Sequence, residues 1–438
     1  MGRSEYRGGD RRCWERRREI PARNEPDCPG AGRRGAVRMG VIVIKKILSL
    51  AAIFLISVLF IAAVQKPAPG PLYLYERDDL YGYMDRQGYI VIGPQYRIAK
   101  QFREGLAGVV RMDGNTFEYV DYIDNQGRTV ISDNRFHASK PGWFDSFHEG
   151  IAIVDTDTRW SGQLLIDKRG RLVTDRVFKR SIFTFSEGYA ACSNLLPYAA
   201  PVPGSERMIR ASYLNTEGEL ATEKWFNEAR SFSNGLAVVG RWKDGDIRFF
   251  ASDKQYAVIN RDFQLVTDYR FEEAGSYRDG RLAVMMGGKW GYIDGQGNQL
   301  IACKYDPYNG VEGGQYLSIP EPLELFLRDA DTLGLYDFSE GLASIYQDGK
   351  WGYINTSGEL VIPLQFELAR PFSEGLAAVK QDGKWGFIDQ TGKVMISPQY
   401  DYVLNFQDGL AVVGDQDGSY KCYIDQDGQK IRNRAKRS

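Results

Sequence analysis

Histidine is scarce in this chain, and the common catalytic signatures are absent. Only His137 and His148 occur among 438 residues, so the side chain that most often moves protons near neutral pH is almost missing. The sequence contains no HExxH zinc motif, no GxSxG nucleophile elbow, no phosphate-binding loop and no complete dinucleotide fingerprint. We therefore predict no catalytic residue, no metal site, no cofactor and no enzymatic activity.

Cysteine is also sparse, and no excess of positive charge is present. The five cysteines form no CxxC pair and share no position in the sequence pattern described below, which argues against a disulfide framework. The net charge is −1, and the residues after 46 carry 43 Lys and Arg against 51 Asp and Glu. Binding to phosphate backbones needs a basic footprint. We predict that nucleic acid is not a partner.

One long apolar run interrupts this polar composition. Residues 47–64 contain no charged side chain, and as a helix they would span about 27 Å, close to the thickness of a bilayer core. Lys45 and Lys46 precede the run, which favours a cytoplasmic N-terminal side and an extracytoplasmic remainder. Residues 39–66 are thus either a cleaved signal peptide, giving a secreted protein, or a retained signal-anchor helix that binds the membrane through residues 47–64.

The regions around this segment have distinct compositions. Residues 1–38 are polar and rich in Arg, so we interpret them as disordered or as an over-extended reading frame that truly begins at Met39. Residues 67–71 form a short Pro-rich linker. The main domain is predicted to cover residues 72–432, followed by a basic tail at 433–438.

A repeated pattern fills the main domain. Residues 372–377 read Phe-Ser-Glu-Gly-Leu-Ala and are followed by Lys-Trp-Gly-Phe-Ile-Asp at 384–389; residues 338–343 and 350–355 repeat this pattern 34 residues earlier. Each copy reads as a strand, an Asp-Gly turn, a returning strand, an Asp-x-x-Gly turn and a third strand. The sequence predicts an all-β array of about eight to nine three-stranded antiparallel meander repeats, preceded by one N-terminal hydrophobic helix.

The spacing of the repeats separates constant from variable segments. The distance from the apolar residue before the Asp turn to the Gly of the next copy is 21 in each of five cases, whereas the hairpin after that Gly varies in length. Units of uneven length favour an open β superhelix or solenoid, with a closed propeller-like ring as the alternative. Residues 307–337 form an insert between two copies.

Glycine and tryptophan mark the structural positions of the pattern. The turn glycines suit a left-handed backbone, while each Trp-Gly pair suits packing between units, with the Gly allowing close approach of a strand. The predicted structural residues are Gly105, Gly150, Gly188, Gly235, Gly280, Trp290, Gly291, Gly341, Trp351, Gly352, Gly375, Trp385, Gly386 and Gly409.

The Lys-Trp-Gly-aromatic-Ile segments at 289–293, 350–354 and 384–388 resemble the WG-repeat (KWG) family. The match is specific in the last 150 or so residues, and it weakens upstream, where the Trp is missing. The resemblance implies a β-rich repeat array found in bacterial, often exported, proteins. It brings no established catalytic residue.

Aromatic side chains outside the repeat register are the candidate binding residues. Trp160, Tyr198 and Trp242 lie at or near long hairpin tips, and Phe326 lies in the apolar part of the insert. We predict a non-catalytic, extracytoplasmic binding or scaffold protein of the bacterial cell envelope that contacts a protein partner through the hairpin tips and the 307–337 insert. The alternative is a module that binds cell-wall polysaccharide, and a hydrolase comes third.

Overall fold

Antiparallel β-sheet makes up the regular structure of the protein. The computed structural model describes residues 70–111, 119–137, 144–156, 162–178, 182–193, 211–242, 254–308, 334, 336–414 and 421–435. These residues contain 29 strands and no helix, which confirms the all-β prediction. The predicted N-terminal helix and the segments before residue 70 lie outside the described residues.

The strands fall into nine successive repeats. Repeats 1 and 2 share strand β3, and the strand bounds in chain order are β1 Tyr73–Arg77, β2 Leu80–Met84, β3 Ile90–Ala99, β4 Leu106–Arg111, β5 Tyr119–Asp124 and β6 Thr129–His137. Repeats 3 to 5 comprise β7 Ile151–Asp155, β8 Gln163–Asp167, β9 Tyr189–Ser193, β10 Ala211–Asn215, β11 Glu228–Ala229, β12 Leu236–Trp242 and β13 Lys254–Asn260.

Repeats 6 to 9 are the most regular. Repeat 6 comprises β14 Glu273–Arg278, β15 Arg281–Met286, β16 Lys289–Ile293 and β17 Gln299–Tyr305; repeat 7 comprises β18 Phe338–Ser339, β19 Leu342–Gln347, β20 Lys350–Asn355 and β21 Leu360–Phe366. Repeat 8 comprises β22 Leu368–Ala369, β23 Leu376–Gln381, β24 Lys384–Asp389 and β25 Val394–Tyr400; repeat 9 comprises β26 Tyr402–Val403, β27 Leu410–Gly414, β28 Lys421–Asp425 and β29 Lys430–Ile431.

Each regular repeat is a four-stranded meander rather than the predicted three-stranded one. In repeat 8 the order is β22-β23-β24-β25, and the added strand β22 pairs Leu368 with Lys380 and Ala369 with Val379. A strand of two residues is too short to show the alternation of apolar and polar side chains that identifies a strand in a sequence. The three-stranded prediction was therefore incomplete.

The Asp-x-x-Gly turns form one hydrogen-bond motif in all nine described repeats. In each, one side-chain oxygen of Asp or Asn accepts the backbone amides two and four residues further along the chain, as an Asx turn requires. The accepting residues are Asp85, Asp124, Asp167, Asn215, Asn260, Asp294, Asn355, Asp389 and Asp425.

The Glu-Gly segments are two-residue hairpin turns that also link neighbouring repeats. Glu374 and Gly375 have φ of 56° and 82°, the sign pattern of a type I′ turn, and Ser373 and Leu376 exchange both backbone hydrogen bonds around them. The acidic side chain then accepts the Gly amide of the next described turn in six places, which are Glu104 with Gly150, Glu149 with Gly188, Glu187 with Gly235, Asp279 with Gly341, Glu340 with Gly375 and Glu374 with Gly409.

The core lies between adjacent sheets, where aromatic rings join one repeat to the next. Tyr353 is fully buried, and its hydroxyl donates to the backbone oxygen of Arg370 at 2.8 Å. The same contact recurs at Tyr83, Tyr122, Tyr213 and Tyr292, whose hydroxyls each donate to a backbone oxygen 17 to 44 residues later. Each of these hydrogen bonds satisfies a polar group inside the interface between repeats.

The Trp-Gly pairs combine a large ring with a close backbone approach. Trp351 is fully buried and Trp385 nearly so, while Trp290 is half-buried. A Cβ on Gly386 would lie 2.5 Å from the backbone oxygen of Ile396, and one on Gly352 would lie 2.6 Å from that of Ile362. The sheet register shifts at these points, so the glycine leaves room for a β-bulge.

The first and last repeats contact each other. The rings of Tyr73 and Tyr423 lie 5.5 Å apart with an edge-to-face geometry, and the Tyr73 hydroxyl donates to the backbone oxygen of Asp408 at 2.5 Å. Glu76 pairs with Lys421 at 3.6 Å. Tyr89 and Arg434 form a parallel β-bridge. The array of meanders therefore closes on itself.

This closure corrects the preference for an open superhelix and agrees with the propeller-like alternative. Repeats of uneven length seemed unsuited to a ring. However, the differences in length lie mainly in the connections between strands, whereas the two paired strands before each Asp turn keep five to seven residues in every described repeat. Ring closure depends on the packed sheets, so loops of different length do not oppose it.

Candidate functional site

The two edges of the sheets differ in what they carry. Because consecutive strands of each repeat are antiparallel, the Glu-Gly hairpins and the Asp turns lie at one edge, which we call the constant edge. The opposite edge, called the variable edge, carries the hairpin between the second and third strands and the connection to the next repeat. The segments 112–118, 194–210, 243–253 and 309–333 all leave the described strands at the variable edge.

The ends of the 307–337 insert meet on a cluster of aromatic rings. Tyr336 stacks on Trp290 with ring centroids 4.7 Å apart and an interplanar angle of 15°. Tyr308, Tyr336 and Tyr346 each lie 5.3 to 5.4 Å from the ring of Trp351. This aromatic cluster anchors both ends of the insert between repeats 6 and 7, although residues 309–333 of the insert lie outside the described residues.

Hydrogen bonds tie the same insert ends to the neighbouring hairpins. The Tyr336 hydroxyl donates to the backbone oxygen of Asp306 at 2.8 Å and accepts the amide of Tyr308 at 2.9 Å. The Asp306 carboxylate pairs with Lys289 and accepts the amide of Asp348 at 3.2 Å. The hydrogen bond from Lys289 lowers the pKa of Asp306. The base of the insert is thus fixed by hydrogen bonds to strand β16 and to the hairpin turn between β19 and β20.

Asp337 is a buried carboxyl group at the end of the insert. Its two oxygens accept the amides of Ser276 and Gly334, each at 3.0 Å. Burial raises its pKa to about 6, against the opposing effects of those hydrogen bonds and of the positive charge of Arg278. A Cβ on Gly275 would lie 2.0 Å from the Asp337 carboxyl, so the glycine makes room for this side chain.

The raised pKa predicts that Asp337 makes stability depend on pH. The folded protein holds the Asp337 proton to about pH 6, whereas the unfolded chain releases it near pH 4. This group therefore favours the folded state below about pH 4, and the contribution is lost as the pH rises to about 6. Relative to Asp337→Asn, the wild type should lose about 2 kcal/mol of unfolding free energy between pH 4 and pH 7, measured by urea denaturation.

A carboxylate in one of the turns is a control, because its contribution to stability should depend on pH in the opposite direction. The pKa of Asp294 is lowered, chiefly by its hydrogen bond from Asn298, so its contribution to stability should disappear on acidification rather than on alkalinisation. If the unfolding free energies of the wild type and Asp337→Asn changed with pH in parallel, the raised pKa of Asp337 would be contradicted.

The hairpin of repeat 5 places the candidate residue Trp242 at the variable edge. Trp242 ends strand β12, opposite Lys254 at the start of β13. Its amide donates to the Asn227 side chain at 3.2 Å, and the Lys254 ammonium lies 5.1 Å from its ring centroid. The ring is half-buried, so it combines partial exposure with a cation held beside it.

A network of charges underlies this hairpin. Glu228 accepts hydrogen bonds from Lys254 at 2.6 Å and from Tyr256 at 3.1 Å, and it pairs with Arg230 at 3.0 Å. Burial alone would raise the pKa of Glu228, but the hydrogen bond from Lys254 and the charge of Arg230 lower it. Arg230 also pairs with Glu273 at 2.6 Å. The network pairs the charges of Glu228, Arg230, Lys254 and Glu273 with one another.

Three of the four predicted binding residues cannot be placed. Trp160, Tyr198 and Phe326 lie outside the described residues, so these predictions remain untested, as does a contact role for Trp242. Sequence reasoning missed Tyr308, Tyr336 and Asp337, which form the base of the insert. The signal available was the aromatic residues at both ends of the insert, Tyr305 and Tyr308 before it and Tyr336 and Phe338 after it, but only the fold shows that residues 308 and 336 meet.

The described residues offer no cluster of three or more His, Cys, Asp or Glu side chains that could hold a metal ion. Burial raises the pKa of the Cys192 thiol to about 12, so that side chain is not a thiolate at neutral pH. No membrane-spanning helix occurs within the described part of the chain. The apolar run at residues 47–64 lies outside that part.

The match to a known family follows the geometry of the repeats. The model of the WG containing repeat matches seven stretches, which are residues 81–115, 212–240, 256–290, 290–307, 334–351, 351–385 and 385–420. The chain is a WG-repeat protein. Each of the five longer stretches starts in the strand before an Asp turn and continues through that turn into the next meander, so the WG repeat is offset from the meander along the chain.

Several solved structures are similar to the WG-repeat array. A crystal structure of the eukaryotic initiation factor covers 83% of this chain and 95% of its own, with 10% identity and a TM-score of 0.48. BamB from Moraxella catarrhalis covers 79% and 94%, with 11% identity and a TM-score of 0.36. A streptogramin B lyase covers 78% and 95%, with 13% identity and a TM-score of 0.30. No curated protein matches the chain. At these identities and TM-scores the similarities support no functional conclusion.

Proposed function

We propose that this WG-repeat protein is a non-catalytic binding scaffold of the bacterial cell envelope that holds a protein partner at its variable edge. One observation carries the proposal. The connections that differ in length between repeats leave the sheets at the variable edge, whereas the constant edge is fixed by the same turn hydrogen bonds in every described repeat. Segments that protrude from a rigid scaffold are where binding residues concentrate.

The extracytoplasmic location is part of the proposal and depends on the sequence. The uncharged run at residues 47–64 and the preceding Lys45 and Lys46 favour export of everything that follows. The anchoring of the insert by the aromatic cluster supports a binding role for residues 307–337, because a tip held at its base loses less conformational entropy when it binds.

Removal of one tip at a time tests the proposal. Trp242 and Lys254 pair across β12 and β13 as Gln347 and Lys350 pair across β19 and β20, so replacing residues 243–253 with Asp-Gly should preserve the hairpin. We expect this variant, or a deletion of residues 309–333, to lose at least tenfold of its cross-linking to a partner that the full-length wild type captures in envelope membranes.

A change at the constant edge is the matched control. Gln390 bonds to Glu340 across two repeats at that edge, and Gln390→Ala should leave partner capture unchanged. Partner capture that survives both tip replacements but is lost with Gln390→Ala would refute binding at the variable edge.

Cell-wall polysaccharide is the second candidate ligand, and Trp242 is the observation that favours it. A half-exposed indole at the variable edge can stack on a sugar ring, with Lys254 beside it. Sedimentation with purified cell wall, abolished by Trp242→Ala together with Trp160→Ala, would support the polysaccharide. Wild-type protein that stays in the supernatant would exclude it.

A further inference from the structure

Repeats 5 and 8 hold an arginine at the same structural position. Arg230 lies two residues before Phe232, and Arg370 lies two residues before Phe372, where each repeat enters its hairpin turn. Their amides donate to the equivalent oxygens of Val238 and Ala378. Because the local backbone is the same, the surroundings of the two guanidinium groups can be compared directly.

Each guanidinium lies over the aromatic ring at the WG position of its own repeat. Arg230 is 4.7 Å from the ring centroid of Tyr256, and Arg370 is 5.1 Å from that of Trp385. Both rings are buried. In both repeats the aromatic ring packs against one face of the guanidinium, so the guanidinium N–H groups remain available for hydrogen bonds.

In repeat 5 the protein supplies those acceptors itself. Arg230 pairs with Glu228 at 3.0 Å and with Glu273 at 2.6 Å, and it donates to the backbone oxygen of Ala274. Glu228 and Glu273 occupy the position four residues before the hairpin aromatic in repeats 5 and 6. Two carboxylates therefore neutralise the cation.

In repeat 8 both carboxylates are replaced. The residues equivalent to Glu228 and Glu273 are Leu368 and Tyr402. The guanidinium of Arg370 has no hydrogen-bond or ion-pair partner in the part of the chain that the structure describes. Lys380 stands opposite Leu368, where repeat 5 has Gly240 opposite Glu228. Compared with repeat 5, this site in repeat 8 therefore lacks two negative charges and has one more positive charge.

A further polar group beside Arg370 is unsatisfied. The Tyr402 hydroxyl interacts electrostatically with the Arg370 guanidinium, and it is buried with no hydrogen-bond partner among the described residues. Buried polar groups without partners are rare in folded proteins, and this one accompanies an uncompensated cation that is itself only half-buried.

We propose that Arg370, with Tyr402, binds the carboxylate group of a ligand at the junction of repeats 8 and 9. A carboxylate is planar and offers two oxygens to a guanidinium, and it is the group that fills the equivalent position in repeat 5. The carboxylate comes from a small organic acid or from an acidic side chain of a protein.

Thermal unfolding of the full-length chain in different sodium salts tests this site. At equal ionic strength, acetate or glutarate should raise the unfolding midpoint by about 1–3 °C over chloride once its concentration is ten times the Kd. Arg370→Gln should abolish this rise. Arg135→Gln should retain it, because Arg135 is an exposed residue paired with Asp133, and so it controls for the loss of one positive charge.

A second variant builds the ligand into the protein. Tyr402→Glu places a carboxylate where repeat 6 has Glu273, so it should raise the unfolding midpoint in chloride and remove the response to acetate.

A tetraglutamate peptide distinguishes a small organic acid from an acidic protein segment as the source of the carboxylate. A higher midpoint with acetate shows that a small acid is sufficient, and a higher midpoint with the peptide alone identifies an acidic protein segment. The proposal is overturned if acetate, glutarate and the peptide all act as chloride does, if the rise persists in Arg370→Gln, or if inorganic phosphate acts through Arg370 more strongly than acetate.

Discussion

Trp351→Ala should lower the free energy of unfolding by about 3–5 kcal/mol, the range for removal of a buried aromatic side chain. Trp351 is fully buried, and its ring contacts Tyr308, Tyr336 and Tyr346. The substitution would leave a cavity bounded by rings that belong to both ends of the insert, so those rings cannot collapse into it without moving the insert. Urea denaturation followed by tyrosine and tryptophan fluorescence measures the loss.

Trp290→Ala is the matched comparison. Trp290 occupies the same repeat position but is half-buried and stacks on Tyr336 alone in this cluster. Trp290→Ala should therefore lower the free energy of unfolding clearly less than Trp351→Ala does. The indole nitrogen of Trp351 has no hydrogen-bond partner among the described residues, and Trp351→Phe should therefore recover part of the stability, since it removes an unsatisfied donor. A loss below about 1 kcal/mol for Trp351→Ala would show that the site tolerates an empty space.

Gly386→Ala should lower the free energy of unfolding by about 3 kcal/mol, at the upper end for the insertion of one methyl group into a packed region. The new Cβ would lie 2.5 Å from the backbone oxygen of Ile396 and 2.6 Å from the backbone nitrogen of Pro398. These are backbone atoms of the paired strand β25, so relief requires the strands to separate. The midpoint and slope of urea denaturation measure the loss.

Gly93→Ala is the control for the general effect of replacing a strand glycine. Gly93 lies in β3, and a Cβ there would meet no atom within 4 Å. Because alanine restricts the unfolded chain more than glycine does, this change should be neutral or slightly stabilising. Equal losses at positions 93 and 386 would mean that the close strand approach at Gly386 is not the cause.

The turns and the joints between repeats could be predicted from the sequence because their chemistry is local. The side-chain oxygen of an Asp or Asn accepts backbone amides of its own turn, so the motif needs no distant residue. It forms even at Asn260, where Phe263 replaces the usual glycine. Phe263 adopts a φ of 57°, and its ring packs against Tyr189, Tyr213 and Phe232. That packing offsets the strain of a left-handed bulky residue.

The features that the sequence did not predict depend on contacts between distant residues. The pairing of Leu368 and Ala369 with β23 involves two residues with no pattern of their own. Asp337 looked like any other acidic residue, and only the packing of repeats 6 and 7 buries it. The contact of Tyr73 with Tyr423 spans 350 residues, and nothing in either segment specifies its partner.

The joining of the two ends also changes how the protein unfolds. A linear row of repeats can lose its outermost member and leave the others intact, because each unit contacts only its neighbours. Here the apolar faces of Tyr73, Tyr75 and Met84 are covered by Leu410, Val412 and Tyr423 of repeat 9. Removal of repeat 9 would expose the sheets of repeats 1 and 8 at once, so the array has no dispensable outer unit and should melt in a single step.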